Sequence, residues 1–343
     1  MKNKHVWSFL SGLALVFFCC TAMASDSWEF VKDDEGISTY SRDVEGSDYK
    51  SYKSVTTVTA NMAQVGAVFR DILAYTKWMA NVSQAKILKK YNANDMDLYF
   101  VLNFPWPTSD RDTVLASRTV VDKNTGMVDI HTEDYVDSTV PEKDGLVRIP
   151  KLVQIFTMTY LDGNHTEVTY SIHMEAGGSL PVTAVEMDLK KAPFKSLRNL
   201  KKIVQEDVYQ KADPFDAINS DITKTILSLK LKNYITDVEL IELLLQDKTV
   251  MEQLIQNGHS EQGRKKNAVV IAKFYVHSPV FASRIQNAKE KDVLSHLATN
   301  DKLLNDLTQD DHFIGLILGA GQNGLTESVI QDMVSMITER LNG

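Results

Sequence analysis

Few side chains in this sequence are spaced for chemistry. His131, Glu133 and Asp134 form a local cluster of an imidazole and carboxylates. On a strand, His131 and Glu133 share one face, where they could contribute to a metal site, although a solvated face is the commoner use of such a cluster. His173 and Glu175 stand in the same relation, as a pair that could orient a bound molecule or lie on the surface. None of the eight histidines falls in an HExxH pattern. There is no phosphate-binding loop, no nucleophile elbow and no dinucleotide fingerprint. Gly319, Gly321 and Gly324 follow a helical pattern and not a strand, so they read as a helix C-cap and turn. The two cysteines, Cys19 and Cys20, both sit in an apolar N-terminal run, which leaves the rest of the chain without thiolate ligands, disulfides or a cysteine nucleophile. The chemistry this pattern favours is binding, with no cofactor expected.

That N-terminal run has its own logic. Lys2, Lys4 and His5 precede apolar residues from Val6 to Cys20, followed by Ala22-Met23-Ala24 and polar Ser25. Basic, apolar, then small-x-small is the order of a secretory signal, with cleavage expected after Ala24. The apolar run is shorter than the ~20 residues that span a bilayer. Export, most simply to a periplasm or else to the medium, is the expectation. Loss of Lys2 and Lys4 would take the net charge from −8 to −10. So acidic a chain, with only short basic stretches, is not expected to bind nucleic acid.

Residues 28–175 read mainly as strands. Alternation or β-branched enrichment marks 37–44, 49–59, 85–91, 97–103, 113–121, 127–135, 151–161 and 167–175. Asn61 begins a helical insert over 61–78. A long helix is expected over 180–209, kinked or broken by Pro193. Beyond Asp213-Pro214 alternation stops and helical periodicity runs to the end.

The order of elements and five short motifs resemble the START (steroidogenic-acute-regulatory-related lipid transfer) family. Gly36-Ile37 with Tyr40 and Arg42 resembles its first strand, and Asp71 with Trp78 its helix end. Phe104-Pro105-Trp106-Pro107 running to Arg111-Asp112 is similar to its aromatic-proline loop. Gly145 to Arg148 resembles its G-x-V-R, and Glu175-Ala176-Gly177-Gly178-Ser179-Leu180-Pro181 the turn into its lid helix. The resemblance implies an α+β helix-grip fold, a curved antiparallel sheet around a long C-terminal helix, followed here by an all-α domain. The expected layout is a signal over 1–24, a START-like domain over 25–212 and a helical domain over 213–343.

The resemblance also implies a lipid or other hydrophobic ligand between sheet and helix, and transient contact with a membrane. Residues on the inward strand faces and the lid helix are the candidate contacts: Phe100, Leu102, Leu115, Ser117, Ile130, Phe156, Met158, His173, Met174, Met187, Phe194 and Leu197. Because neighbours on a strand point opposite ways, His173 and Met174 should not both face the cavity. Members with charged cavities carry an inward arginine where this chain has Ser117, while Arg118 should turn to the other face; Leu98 stands where a partner carboxylate would. A charged headgroup clamp is therefore not expected. Arg148 is expected in a salt bridge beside the cavity. Two other readings are an enzyme of the polyketide cyclase/aromatase type, and a scaffold whose helical tail docks a protein partner.

Overall fold

The computed structural model describes residues 27–342, apart from 123, 138, 215, 217–219, 259 and 286–287. The proposed signal therefore lies outside the described residues. Ten strands form one sheet: β1 (Glu29–Asp34), β2 (Ile37–Arg42), β3 (Ser51–Val58), β4 (Val82–Lys90), β5 (Asp95–Leu102), β6 (Asp110–Val121), β7 (Val128–Asp134), β8 (Leu146–Arg148), β9 (Lys151–Asp162) and β10 (His165–Glu175). Their order is β1-β2-β3-β10-β9-β7-β6-β5-β4, with β8 alongside β6. The β8 pairing is parallel and the rest are antiparallel. After β3 the chain crosses to the far edge through α1 (Met62–Arg70), a 3-10 turn (Ile72–Ala74) and α2 (Tyr75–Trp78), then meanders back until β10 pairs with β3. That last pairing joins the two ends of the domain.

Alternation sets which side chains are buried. Along β10, Thr166, Val168, Tyr170, Ile172 and Met174 are buried while their neighbours are half-exposed. Along β9 the buried row is Leu152, Gln154, Phe156 and Met158, in which Gln154 is the lone polar member. Two strands escape a reading by alternation. β1 is a charge-rich edge strand joined to β2 by Glu35 and Gly36, both at positive φ, and β8 has three residues.

The inner face is covered by α3 (Val182–Leu189), α4 (Ala192–Ile203) and α5 (Asp207–Gln210). The single helix expected over 180–209 is thus in three pieces. The first break falls at Lys190-Lys191, and Pro193 lies in the first turn of α4, where its missing N–H removes no helical bond.

The tail consists of α6 (Ser220–Leu231), α7 (Val238–Gln246), α8 (Lys248–Asn257), α9 (Glu261–His277), α10 (Pro279–Arg284), α11 (Ala288–Thr299), α12 (Asp301–Leu307), α13 (Asp311–Asn323) and α14 (Glu327–Asn342). Side-chain caps punctuate it: Asp237, Asp247, Ser260, Ser278, Asn300 and Asp310 each accept a backbone N–H at a helix start. Each such cap is worth about 1 kcal/mol, which lets short helices begin where they do. The turn expected at Gly319 to Gly321 is instead helical, and the cap is Gly324 at φ 85°. Gly321 lies within the helix, and glycine suits that position because a Cβ there would come within 2.7 Å of Ile235 Cγ2. Two large apolar cores result, one between the sheet and α1–α5, the other among the tail helices from Leu227 onward, and a small third cluster of Tyr99, Val101 and Val114 lies on the outer face of the sheet.

Candidate functional site

The hollow between sheet and helices is filled at its centre by aromatic rings. Phe156 stacks on Tyr170 at 4.0 Å between centroids, Phe69 lies 4.8 Å from Phe156, and Tyr75 and Trp78 pack edge-on at 5.0 Å. Leu197 and Leu200 of α4 belong to the same core. The plug leaves two voids.

The larger, of about 80 Å³, lies between α1, the far end of the sheet and the tail. Phe69, Met96, Ile130 and Met158 meet Ile222 and Ile226 of α6 there, with Arg70 and Asn94 among its polar lining. Burial lowers the Arg70 pKa, and the charge of Asp216 on the tail linker opposes that shift. The tail is docked by close backbone approach. Tyr160 donates to the Ile255 carbonyl at 3.0 Å, and a Cβ on Gly163 would stand 2.7 Å from that same oxygen. The smaller void, of about 20 Å³, lies beneath α3 and is lined by Leu102, Phe104, Gln154, Tyr170, Met174 and Leu189 among others. Both are well below the ~300 Å³ at which ordinary ligand pockets begin.

A polar row crosses the inner face between the voids. Strand register sets Gln154 opposite Thr132, and Thr132 opposite Ser117. Thr132 donates to Ser117 Oγ at 3.1 Å. Two further inward polar atoms, Trp78 Nε1 and Thr113 Oγ1, are buried without a partner. The phenols of Tyr75 and Tyr170 have their pKa pushed well up by burial.

The loop after β5 is braced against the turn into α3. Asp110 accepts from the Phe104 N–H at 2.9 Å, and the Trp106–Pro107 peptide is cis. Arg111 stacks over Phe104 at 4.3 Å and donates to the carbonyls of Ser109, Ala176 and Gly177. Gly177 and Gly178 both adopt positive φ there, which glycine does without strain. Trp106 itself is 92% exposed.

On the opposite, outer face, Arg148 grips Asp112 through two bonds of 2.8 and 3.1 Å, and Tyr99 donates to the same carboxylate at 3.0 Å. Burial would raise the Asp112 pKa, but the bonds from Arg148 and then Tyr99 outweigh it and hold the group below its usual value. The Tyr99 phenol is pushed up to about 12 by burial and by Asp112. Arg148 therefore forms a salt bridge as expected, but on the outer face of the sheet and not beside the cavity, because Asp112 alternates with the inward Arg111 and Thr113. His131 and Glu133 border an open outer recess of about 700 Å³, and no group of metal-binding side chains occurs among the described residues.

The structure distributes the sequence candidates unevenly. Ser117, Ile130 and Met158 border the larger void; Leu102 and Met174 border the smaller. Phe100, Leu115, Phe156 and Leu197 are buried core between them. Phe194 is buried with the Lys32 ammonium 3.9 Å above its ring. Two placements need correction. Met187 is 61% exposed, because α3 turns Val185 and Leu189 inward and Met187 lies between them. His173 is on the outer face with Glu175, 3.8 Å away, as alternation with Met174 requires. Gln154, Tyr170 and the tail residues Ile222 and Ile226 escaped the sequence reading. For Gln154 a signal existed, a lone polar residue in the inward register of β9.

The START domain family model matches residues 17–209. An uncharacterised protein of Pseudomonas aeruginosa is 32% identical over 194 residues, which is 56% of this chain and 94% of that protein. Among solved structures, the STAR-related lipid transfer protein of Xanthomonas axonopodis (fragment 25–204) is 30% identical, over 53% of this chain and all of that one, at a TM-score of 0.49. Human STARD10 is 18% identical over 54% of this chain and 75% of its own, also at 0.49. With the family match covering more than half of its length, the chain belongs to the START domain family.

Proposed function

We propose that residues 25–212 bind a lipid or another hydrophobic small molecule between the inner sheet face and the helices α3 and α4, and carry it between membranes without changing it. The observation that carries this reading is the inner face itself, where apolar side chains surround two voids separated only by a plug of aromatic rings. Rings and methionines can repack around a chain, and each methylene taken from water contributes ~0.8 kcal/mol. Loading must part the plug, since neither void in its present state has room for a whole lipid.

Transfer requires contact with a bilayer. Trp106 stands out on a loop braced by Arg111, and Met187 is exposed on α3, which the same arginine ties to that loop. An exposed tryptophan suits the membrane interface, where its ring is apolar and its N–H is wet. Residues 213–343 act as a second wall, since Ile222 and Ile226 line the larger void. Among the described residues, Val238 and Leu341 are the large apolar side chains that the tail exposes, so the wall role is favoured over docking of a protein partner. A carrier without catalysis is favoured by the phenols at the voids. The phenols of Tyr75, Tyr160 and Tyr170 are shifted upward, away from the neutral range where a general acid or base works. The basic, apolar, small-x-small order of the first 24 residues supports export to a periplasm.

The test is native mass spectrometry of the full-length protein purified from its own host, with solvent extraction of bound material and a vesicle-to-vesicle transfer assay. A stoichiometric lipid that moves between vesicles is expected. A protein that is reproducibly empty and takes up nothing from vesicles would overturn the reading.

A further inference from the structure

The smaller void has an unusual floor. Gln154 and Tyr170 are each 2% exposed and both line it. Among the described residues, neither the Gln154 amide nor the Tyr170 hydroxyl meets a hydrogen-bond partner. They lie side by side, because Gln154 pairs with Ile172 on β10 and Tyr170 is two residues further along that strand. Buried amides and phenols are normally bonded, and leaving them unbonded is costly. Here two such groups converge on one void beneath the lid helix, at the end of the polar row that runs through Thr132 to Ser117. Around them the lining is mostly apolar, with Leu102, Ile172, Met174 and Leu189, and its other uncharged polar side chain is the half-exposed Asn81. Asp188 of α3 is the one charged side chain in the lining, and it is half-exposed at the rim.

We propose that Gln154 and Tyr170 are the polar anchor of the ligand, and that the ligand is an uncharged lipid bearing a carbonyl or hydroxyl group. This rests on the binding function proposed above and narrows it. The Gln154 amide offers donors and an acceptor, and the phenol offers one of each, so the pair fits an ester, amide or alcohol. A carboxylate or phosphate brought to this floor would find no cation in the lining, because the Arg111 guanidinium lies behind the Phe104 ring and is bonded to the carbonyls of Ser109, Ala176 and Gly177; it would face Asp188, and burial of an unpaired charge is strongly disfavoured. The absence of an inward arginine at Ser117 agrees with the same selection. Removing either partner should weaken a matching ligand about tenfold, the usual effect of one buried hydrogen bond.

The experiment compares full-length wild type with Gln154→Met and Tyr170→Phe. Each is offered four probes of one chain length in phosphatidylcholine vesicles: monoolein, oleate, oleylamine and octadecene. Loading is read by native mass spectrometry, and the Tm of each unloaded protein is measured alongside. The expected result is that wild type loads monoolein about tenfold better than the other three, and that both variants lose this preference. Unloaded Gln154→Met should melt a few degrees higher than wild type, because a shape-matched apolar side chain replaces an unbonded amide. A lower Tm would mean that Gln154 is already satisfied, by a buried water for example, and has a structural role; it would overturn the proposal. So would equal loading of all probes by all three proteins, or a preference for oleate or oleylamine. If wild type loads none of the probes, the binding function itself fails, and the anchor with it.

Discussion

The two faces of the sheet each hold a buried polar cluster, built on opposite rules. On the outer face Tyr99, Asp112 and Arg148 form a charged set in which the carboxylate receives three hydrogen bonds. On the inner face Ser117 and Thr132 bond one another, while Gln154 and Tyr170 are uncharged and unbonded. Burial is similar in both. What differs is satisfaction: the outer cluster is complete without a visitor and fixes the β6–β8 pairing, whereas the inner one is incomplete and faces a void. If Gln154 and Tyr170 anchor a ligand as proposed, polar residues that hold a fold and polar residues that bind a ligand are told apart by their partners and not by their depth.

The largest test of this contrast removes Arg148. Arg148→Met leaves Asp112, with a side chain 1% exposed, as an unpaired buried carboxylate. Loss of one partner of such a pair costs about 3–5 kcal/mol, so urea unfolding at pH 7 should show a drop of that size. The wild-type Asp112 pKa is depressed, so its stabilisation is present above the unfolded carboxylate value near 3.9 and is lost as pH falls through the folded value. In the variant, burial without the arginine raises that pKa, so the deficit measured at pH 7 should shrink as pH falls toward 4. Arg148→Met combined with Asp112→Leu should recover much of the loss. If the single variant loses under 1 kcal/mol, the outer cluster is not the structural half of the comparison.

A smaller loss is expected at the junction with the tail, where the contact is apolar and steric. Gly163→Ala sets a methyl against the Ile255 carbonyl and Gln256 Cα, which would stand at 2.7 and 3.0 Å. Overpacking of this kind costs about 1–3 kcal/mol. Because the clash falls between the two cores, hydrogen exchange should quicken in α6 and α8 while the strands stay protected. At the opposite end of the domain, Trp106→Ala should change stability by less than about 0.5 kcal/mol, since the side chain is 92% exposed. It should nevertheless slow vesicle-to-vesicle transfer severalfold with loading unchanged. Unaltered transfer would remove Trp106 from the membrane contact.

Most of the architecture was legible in the sequence because alternation and helical periodicity report burial directly. The long strands, the insert over 61–78 and the change of pattern at Asp213-Pro214 all follow from it. β1 was not, because an edge strand rich in Glu, Lys and Asp carries no one-sided pattern. The site was legible by face and not by depth. Alternation assigned Ser117, Ile130 and Met158 to the inner face correctly, yet it cannot distinguish a residue beside a void from one packed in the core, as Phe100 and Leu115 are. Met187 was misassigned because a short helix presents its inward stripe at Val185 and Leu189 alone. The contribution of Ile222 and Ile226 depends on how the tail folds back, which no local pattern encodes.

The smallest effect decides whether position or satisfaction matters. His173 lies on the outer face, yet its Nδ1 is buried without a partner, which the outer Asp112 cluster would not predict. Burial lowers its pKa, and the nearby Glu175 only partly offsets this. The unfolded chain therefore takes up a proton near pH 6.5 while the folded one does not, so stability is full above that pH and falls as pH drops toward the folded value, by up to ~1.4 kcal/mol per pH unit. His173→Gln abolishes that slope. Its stability relative to wild type should rise between pH 7 and pH 5, by calorimetry or urea titration, while lipid loading at pH 7 stays unchanged. An unpartnered buried atom on a residue that lines neither of the two voids would then be a pH-sensitive weak point and nothing more, which makes the void beside Gln154 and Tyr170 as necessary to the proposed inner site as their missing bonds. If His173→Gln instead impairs loading at pH 7, the division between the two faces fails, and the outer face must be joined to the ligand through β10.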